Sequence, residues 1–340
     1  MFASLFASLS LVTPFISALF CLLFILALSH SPVAKWLVAK HNNRSLHQGS
    51  IPKIGGIAMI SAIAIAWFFL GLESWWMILS LAIILAFVSF LDDMNDISIF
   101  LRLGIHLGAA SIFAIKELSP LLGEHQALNS LSWPMIILVI LAIAWMINLY
   151  NFMDGIDGLS GGMTAIGFSA YALASLFSSH DQRFVLANVC IVAATLIFLC
   201  FNFAPAKIFM GDAGSTTLGF LAASFGAYGW QHGYWAWWFP IVVFLPFIID
   251  ASFTLLKRLF RGEKIWLAHR DHYYQRLTRS GWGHRKTTLA AYALMGICAF
   301  SAISLNKQAA MTQFVGLAML FIAFAIVLRF IDHKWQLFKA

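Results

Sequence analysis

Residues Asn148 to Gly158 read N-L-Y-N-F-M-D-G-I-D-G and close a strongly apolar segment with two asparagines, two aspartates and two glycines. Polar groups in such a place are costly unless they are used, and Asp154 and Asp157 are two of only fourteen acidic residues in the chain. The placement recurs: Asp92, Asp93 and Asp96 follow one apolar segment and Asp212 follows another. Any one of these can cap a helix by accepting backbone N–H groups. Six carboxylates gathered at segment ends repel one another and favour a bound cation. Magnesium suits them, because it is a hard ion that takes oxygen ligands and shares its shell with phosphates, and no Cys/His set offers a zinc alternative. On a helix, Asn151, Asp154 and Asp157 are neighbours at i,i+3. Asn148 and Asp157 end about half a turn apart, so the four do not share one face.

Three further segments carry polar groups suited to a phosphorylated ligand. In F-M-G-D-A-G-S, Phe209 to Ser215, the metal-ligand candidate Asp212 stands between two glycines, with Asn202 and Lys207 upstream as polar contacts and Phe209 as a stacking surface for a base. The loop H-R-D-H-Y-Y-Q-R-L, His269 to Leu277, offers His269, Arg270 and His272 as donors to phosphate oxygens; its plainer reading is a basic loop on anionic lipid. Between His41 and Gly56, Arg44, His47 and Lys53 are phosphate candidates beside the turn-forming Pro52, Gly55 and Gly56. Asp250, inside an apolar segment after Pro246, is either functional or paired with Lys257 or Arg258. Gly155 reads as part of the site, and Gly161 and Gly162 as packing contacts.

The elements that must hold these residues are membrane helices. The chain is 61% hydrophobic and 10% charged, with a mean hydropathy of +0.85, far from the composition of soluble domains. Apolar stretches of helix-spanning length recur from end to end, too unbroken for barrel strands. Eleven spans are expected, near 5–28, 54–70, 75–91, 101–115, 133–148, 159–177, 184–203, 215–229, 235–256, 288–305 and 311–331. With the N-terminus outside and the C-terminus inside, all but Lys116, Arg183 and Lys307 of the 21 Lys and Arg fall on the inner side, which is the positive-inside asymmetry. The carboxylate groups fall on that side too. The reading is one all-α transmembrane unit, 1–340, with inner loops near 29–53, 92–100, 149–158, 204–214 and 257–287 forming the site. No Lys or Arg precedes Lys35, so the first segment is expected to be a retained helix.

The +7 net charge follows membrane topology rather than one basic face, which excludes nucleic acid as the partner and leaves lipid headgroups. Cys21, Cys190, Cys200 and Cys298 read as packing residues. Trp75, Trp76, Trp133, Trp230, Trp235, Trp237 and Trp238 read as interfacial anchors. An inner-face magnesium site ringed by cations suits phosphoryl transfer between a membrane-held phosphate and a soluble phosphorylated donor, a reaction governed by positioning and charge neutralisation. A transporter would place its carboxylates nearer midplane.

In order and on one face, D-D-M-N-D at Asp92 to Asp96, N-L-Y-N-F-M-D-G-I-D-G-L at Asn148 to Leu159, N-F-A-P-A-K-I-F-M-G-D-A-G-S at Asn202 to Ser215 and H-R-D-H at His269 to His272 resemble the polyprenyl-phosphate N-acetylhexosamine-1-phosphate transferases. The resemblance implies transfer of a sugar 1-phosphate from a UDP-sugar to undecaprenyl phosphate, with release of UMP, at the cytoplasmic face of a bacterial inner membrane. It implies Mg2+, with Mn2+ as the alternative, held by Asp212 with Asn151 and Asp154. Asp92 or Asp93 would activate the lipid phosphate for direct attack, and Asn148, Asn151, Asp154 and Asp157 would organise nucleotide and metal. His269, Arg270 and His272 would hold sugar or diphosphate. H-R-D-H, together with R-S-L-H and P-K-I-G-G at Arg44 to Gly56, resembles the O-antigen and surface-glycan branch, with UDP-GlcNAc, UDP-N-acetylfucosamine or UDP-N-acetylquinovosamine as donor. The peptidoglycan phospho-MurNAc-pentapeptide transferase is the alternative. His41 and Asn42 depart from the branch pattern, which expects Asp and Pro before N-x-R-S. The family also admits a lateral homodimer.

Overall fold

The computed structural model describes residues 2–38, 51–71, 75–95, 97–118, 132–179, 181–264 and 269–339. Apolar sequence that leaves water must satisfy its backbone within each segment, and the described residues are accordingly helical. Ten long helices occupy the expected positions: α1 (Phe2–Ser29), α3 (Gly55–Leu70), α4 (Trp76–Asn95), α5 (Ile99–Leu118), α6 (Ser132–Met153), α7 (Leu159–Ser178), α8 (Gln182–Asn202), α9 (Asp212–Gln231), α13 (Gly283–Leu305) and α14 (Ala310–Lys339). The short α2 (Pro32–Trp36) and α12 (Tyr273–Leu277) lie in loops. Among the described residues, eight helices are long and apolar enough to cross a membrane.

The remaining three expected spans differ from the eight for separate reasons. Helix α3 has 16 residues, short of the roughly 20 of a perpendicular span. Helix α9 is long enough but rich in Gly, Ser, Thr and Ala, and most of it is buried. The expected span 235–256 is broken into α10 (Phe239–Val243) and α11 (Leu245–Phe260), each with a proline in its first two positions. A proline there starts a helix and denies the preceding one a donor.

Helix α9 is the central post, packed on α6 and α4, while α1, α3, α7 and α8 pack together at its side. Small residues allow the close approach: a Cβ on Gly219 would lie 2.7 Å from the Met146 carbonyl of α6. This registers the start of α9 against the end of α6, where the aspartates stand. Gly161 and Gly162 are packing contacts as expected, against Leu199 and Tyr292 respectively.

Two sequence expectations need correction. Trp76, Trp133 and Trp237 are exposed, but Trp75, Trp235 and Trp238 are buried among other rings rather than anchored at an interface. Cys21, Cys190 and Cys298 are buried, whereas Cys200 is exposed on the outer face of α8.

Candidate active site

The site begins with two loops joined by their backbones. Gly55 and Gly56 donate to the carbonyls of Phe209 and Met210 at 2.9 and 2.8 Å, and Phe209 donates back to Pro52 at 2.9 Å. Glycine is required at the join, because a Cβ on Gly56 would overlap the backbone of Gly214, and Gly211 has φ +75°. This pairing brings Lys53 and Asp212 to the same carboxylate. Lys53 Nζ is 2.7 Å from Asp93 Oδ1, and the Asp212 N–H donates to Asp93 Oδ2 at 2.9 Å. Burial works against the Lys53 ammonium, yet the charges of Asp93 and Asp212 outweigh it and hold its pKa above the usual value.

Asp92 is engaged separately. Its Oδ1 accepts from the Ile97 N–H at 2.7 Å, and its Oδ2 accepts from Arg102 Nη1 at 2.5 Å. All four oxygens of Asp92 and Asp93 therefore already have donors. Each of these oxygens keeps a second lone pair beyond the donor it has. Arg102 also lies 3.7 Å from Asp212 Oδ2, to which Asn151 Nδ2 donates at 3.3 Å.

These groups face one cavity of about 820 Å3 between α4, α5, α6 and α9. Lys53, Asp92, Asp93 and Asp212 line its charged part, with Asn148 and Asn151 beside them, while Leu103, Leu107 and Leu141 line an apolar part. Arg102 and His106 also line it, and the sequence reading overlooked both. Their signal was present: two polar residues at i,i+4 in an otherwise apolar span share one helix face. Asn148 lines the same cavity and donates its amide to the Ala144 carbonyl at 2.7 Å.

The Asp154–Asp157 pair divides. Helix α6 ends at Met153 and a turn follows, with Gly158 at φ +77°, so the helical i,i+3 relation expected for the pair does not exist. Asp154 faces the other carboxylates. Burial pushes its carboxyl up to about 7, Asp212 and Asp93 add to this, and Ser160 and Lys53 oppose it. Asp157 turns away: Oδ2 accepts from the Ala206 N–H at 3.1 Å, and Oδ1 lies 3.1 Å from His284 Nδ1. Asn202 is used structurally, accepting from the Gly158 N–H at 2.9 Å and donating to the Ile208 carbonyl at 2.9 Å. Its amide thus ties the Gly158 turn to the Ile208 loop.

The H-R-D-H loop docks on the same turn from the other side. His269 and His272 stack with ring centroids 4.8 Å apart, and His272 stacks on Phe152 at 6.2 Å. Tyr274 Oη donates to the Phe152 carbonyl at 3.0 Å, and a Cβ on Gly155 would collide with that hydroxyl. Gly155 thus serves the docking of this loop. Asp250 pairs with neither Lys257 nor Arg258; it accepts from the Tyr273 and Tyr274 N–H groups, each at 2.9 Å, and lies 3.2 Å from His272 Nδ1. Arg270 is half-buried, and Arg279 donates to its carbonyl at 3.3 Å. Phe209, half-buried, sits in the paired loops rather than on the cavity wall. Arg44, His47 and Asp96 lie outside the described residues.

Among the described residues no group of three or more His, Cys, Asp or Glu is placed to hold a metal alone. Magnesium commonly takes one or two carboxylates and completes its shell with water and substrate phosphates. Asp212, Asp154 and the Asn151 amide fit that pattern, and the Asp154 carboxyl, raised mainly by burial and further by Asp212 and Asp93, is one whose charged form a cation would favour. Lys53 and Arg102 flank the set, cations of the kind that suits phosphate oxygens.

The sequence profile of glycosyl transferase family 4 matches residues 75–229, the stretch from α4 through α9. A probable undecaprenyl-phosphate N-acetylglucosaminyl 1-phosphate transferase of Bacillus subtilis is 29% identical over 314 residues, covering 87% of this chain and 85% of the relative. Two undecaprenyl-phosphate alpha-N-acetylglucosaminyl 1-phosphate transferases are similar to it as well. The Yersinia pestis protein is 27% identical over 337 residues, with 94% and 90% covered. The Escherichia coli K12 protein is 29% identical over 332 residues, with 88% and 85% covered.

Proposed function

We propose that this chain, a member of the polyprenyl-phosphate N-acetylhexosamine-1-phosphate transferase superfamily, transfers an N-acetylhexosamine 1-phosphate from a UDP-sugar to undecaprenyl phosphate and releases UMP. UDP-GlcNAc is the first donor to test, because the relatives are named for N-acetylglucosaminyl 1-phosphate transfer. UDP-N-acetylfucosamine and UDP-N-acetylquinovosamine follow, and the product would begin an O-antigen or other surface polysaccharide. The observation that carries the reading is the cavity that runs from Lys53, Asp93, Arg102 and Asp212 to Leu103, Leu107 and Leu141. Such a gradient suits an acceptor with a phosphate at one end and an isoprenoid chain at the other.

In this reading Asp212 and Asp154, with Asn151, hold Mg2+ or Mn2+, and the bound ion supplies charge neutralisation at the donor diphosphate. Asp93 fixes Lys53 and the first amide of α9, and Asp92 fixes Arg102, so two cations are aimed at phosphate oxygens. The acceptor phosphate attacks directly. Asp157 holds the turn that carries Asp154, and His269, Arg270 and His272 approach the donor from the far side of Phe152. We assign eleven spans, with the N-terminus periplasmic, the C-terminus cytoplasmic and the site facing the cytoplasm of a bacterial inner membrane. Lipid-facing helices leave room for a lateral homodimer.

The test is to incubate membranes containing the protein with undecaprenyl phosphate, magnesium and a panel of UDP-N-acetyl sugars, and to measure UMP. Release from one donor, dependent on both lipid and metal, is the expected result. No UMP from any donor would defeat the reading.

A further inference from the structure

Asp250 stands 6% exposed on α11, and its carboxylate has a use that its sequence position does not announce. Its Oδ2 accepts from the Tyr274 N–H at 2.9 Å; its Oδ1 accepts from the Tyr273 N–H at 2.9 Å and meets His272 Nδ1 at 3.2 Å. Thr254 Oγ1, one turn along α11, donates to the same Oδ1 at 3.3 Å. A buried carboxylate thus satisfies the opening amides of α12 and one nitrogen of the preceding histidine.

The hydrogen on His272 is assigned from these partners. A carboxylate only accepts, so Nδ1 carries the proton that faces Asp250, and Nε2 is the nitrogen left to meet a ligand. A donor diphosphate bears no hydrogen to give, so a ring that binds it must donate from Nε2 as well. Asp250 is the buried carboxylate that such a doubly donating ring would face. The rest of the loop is pinned independently: Asp271 to Arg258 at 2.6 Å, and Arg276 to Asp332 at 2.9 Å. Phe152 closes the other face of the ring. The groups packed on His272 include Asp250 on α11, Tyr274 on α12 with ring centroids 5.8 Å apart, His269 in the loop and Phe152 on α6, with Arg258 and Asp271 paired beside the loop and Arg276 and Asp332 beyond it.

We infer that Asp250 is a positioning residue of the donor half of the site, fixing His272 with Nδ1–H toward itself so that Nε2–H is presented to the diphosphate of the UDP-sugar. The inference rests on the transferase reading above and adds a residue from a different helix to it. It also fixes the direction of the effect. Asp250 acts on donor binding through His272, and not on the acceptor.

A double-mutant cycle on the full-length protein in membranes tests this, with UMP release followed at varied UDP-sugar and at varied undecaprenyl phosphate. Asp250→Asn is expected to raise the donor KM about 10-fold or more, the size of a lost charge-assisted hydrogen bond, with kcat and the acceptor KM changed by less than about threefold. His272→Gln is expected to raise the donor KM similarly. Asp250→Asn added to His272→Gln is expected to cost less than about twofold more, because the two act through one contact. Additive losses, or a fall in kcat at unchanged donor KM, would overturn the inference. If Asp250→Asn does not accumulate in membranes, Asp250→Glu carries the same comparison: a donor-KM penalty with His272 present and none with Gln supports the proposal, and equal penalties in both backgrounds sink it. Wild-type protein that releases no UMP from any donor removes the underlying transferase reading instead, which the variants alone cannot do.

Discussion

Helices α4, α8 and α9 have two different ends. At one end stand Trp75, Phe184, Phe225 and Tyr228, a cluster in which Trp75 meets Phe184 at 5.3 Å and Phe184 stacks on Tyr228 at 5.2 Å. Trp235 extends it, stacked on Tyr171 at 4.8 Å and on Phe239 at 4.9 Å. At the other end the same three helices carry Asp92 and Asp93, Asn202, and Asp212. The aromatic end is packed ring against ring. The carboxylate end is held by backbone amides and cations, yet Asp212 lines an open cavity and Asp154 is buried within reach of its charge. Rigid ring packing at one end permits a polar, partly unsatisfied arrangement at the other, because the register of the helices is already fixed.

If that division holds, a change at the carboxylate end should cost activity and spare the fold. Asp212→Asn keeps the shape and removes the charge that Asn151 meets at 3.3 Å and Arg102 at 3.7 Å. UMP release is expected to fall roughly 100- to 1,000-fold, while the thermal unfolding temperature in detergent stays the same or rises as repulsion with Asp154 and Asp93 is relieved. A variant that unfolds would mean Asp212 is structural. The converse change is Phe225→Ala, which removes a fully buried ring in contact with Trp67, Trp75, Phe168 and Phe184. It is expected to cost about 3–5 kcal/mol of stability, with kcat of the protein that remains folded within about twofold of wild type. A large loss of kcat in folded protein would show that the two ends are coupled.

The sequence made the spans legible because hydropathy reports which segments leave water, and made the carboxylate end legible because charge there is rare. What it hid was direction. Asp154 and Asp157 look alike in the motif, yet one faces Asp212 and the other faces His284 and Ala206, a choice made by the turn after Met153. Asn202 has the residue type of a ligand contact, and both its amide groups go to backbone. Trp75 and Trp235 sit at segment ends in sequence but inside the aromatic cluster in space, since helices that pack closely bury even their terminal rings. Arg102 and His106 carry a quieter signal, the i,i+4 spacing within α5 that puts both on one helix face.

Gly56→Ala probes the join rather than either end. Its Cβ would press on Gly214, and the loops that aim Lys53 and Asp212 at Asp93 would have to separate. A stability loss of about 1–3 kcal/mol is expected from overpacking, with a further loss of UMP release that exceeds the change in folded fraction. Activity that tracks folded fraction alone would show that the two loops do not set the geometry of the site.

The smallest expected effect is also the most specific to the carboxylate end. The Asp154 carboxyl is raised from 3.8 to about 7, mainly by burial. Between those values the folded protein keeps a proton that the unfolded chain has released, so the contribution of this group to stability falls as pH rises through that window. Above it, Asp154 is charged beside Asp212 and Asp93, and a divalent cation has most to compensate. Magnesium is therefore expected to raise the unfolding temperature by more at a pH of about 8 than at about 5, by a few degrees. Asp154→Asn should flatten that difference, whereas Phe225→Ala should lower both curves and leave the difference intact. If the magnesium effect is equal at both pH values in the wild-type protein, the cation is not meeting Asp154, and Asp212 would have to hold it without that carboxylate.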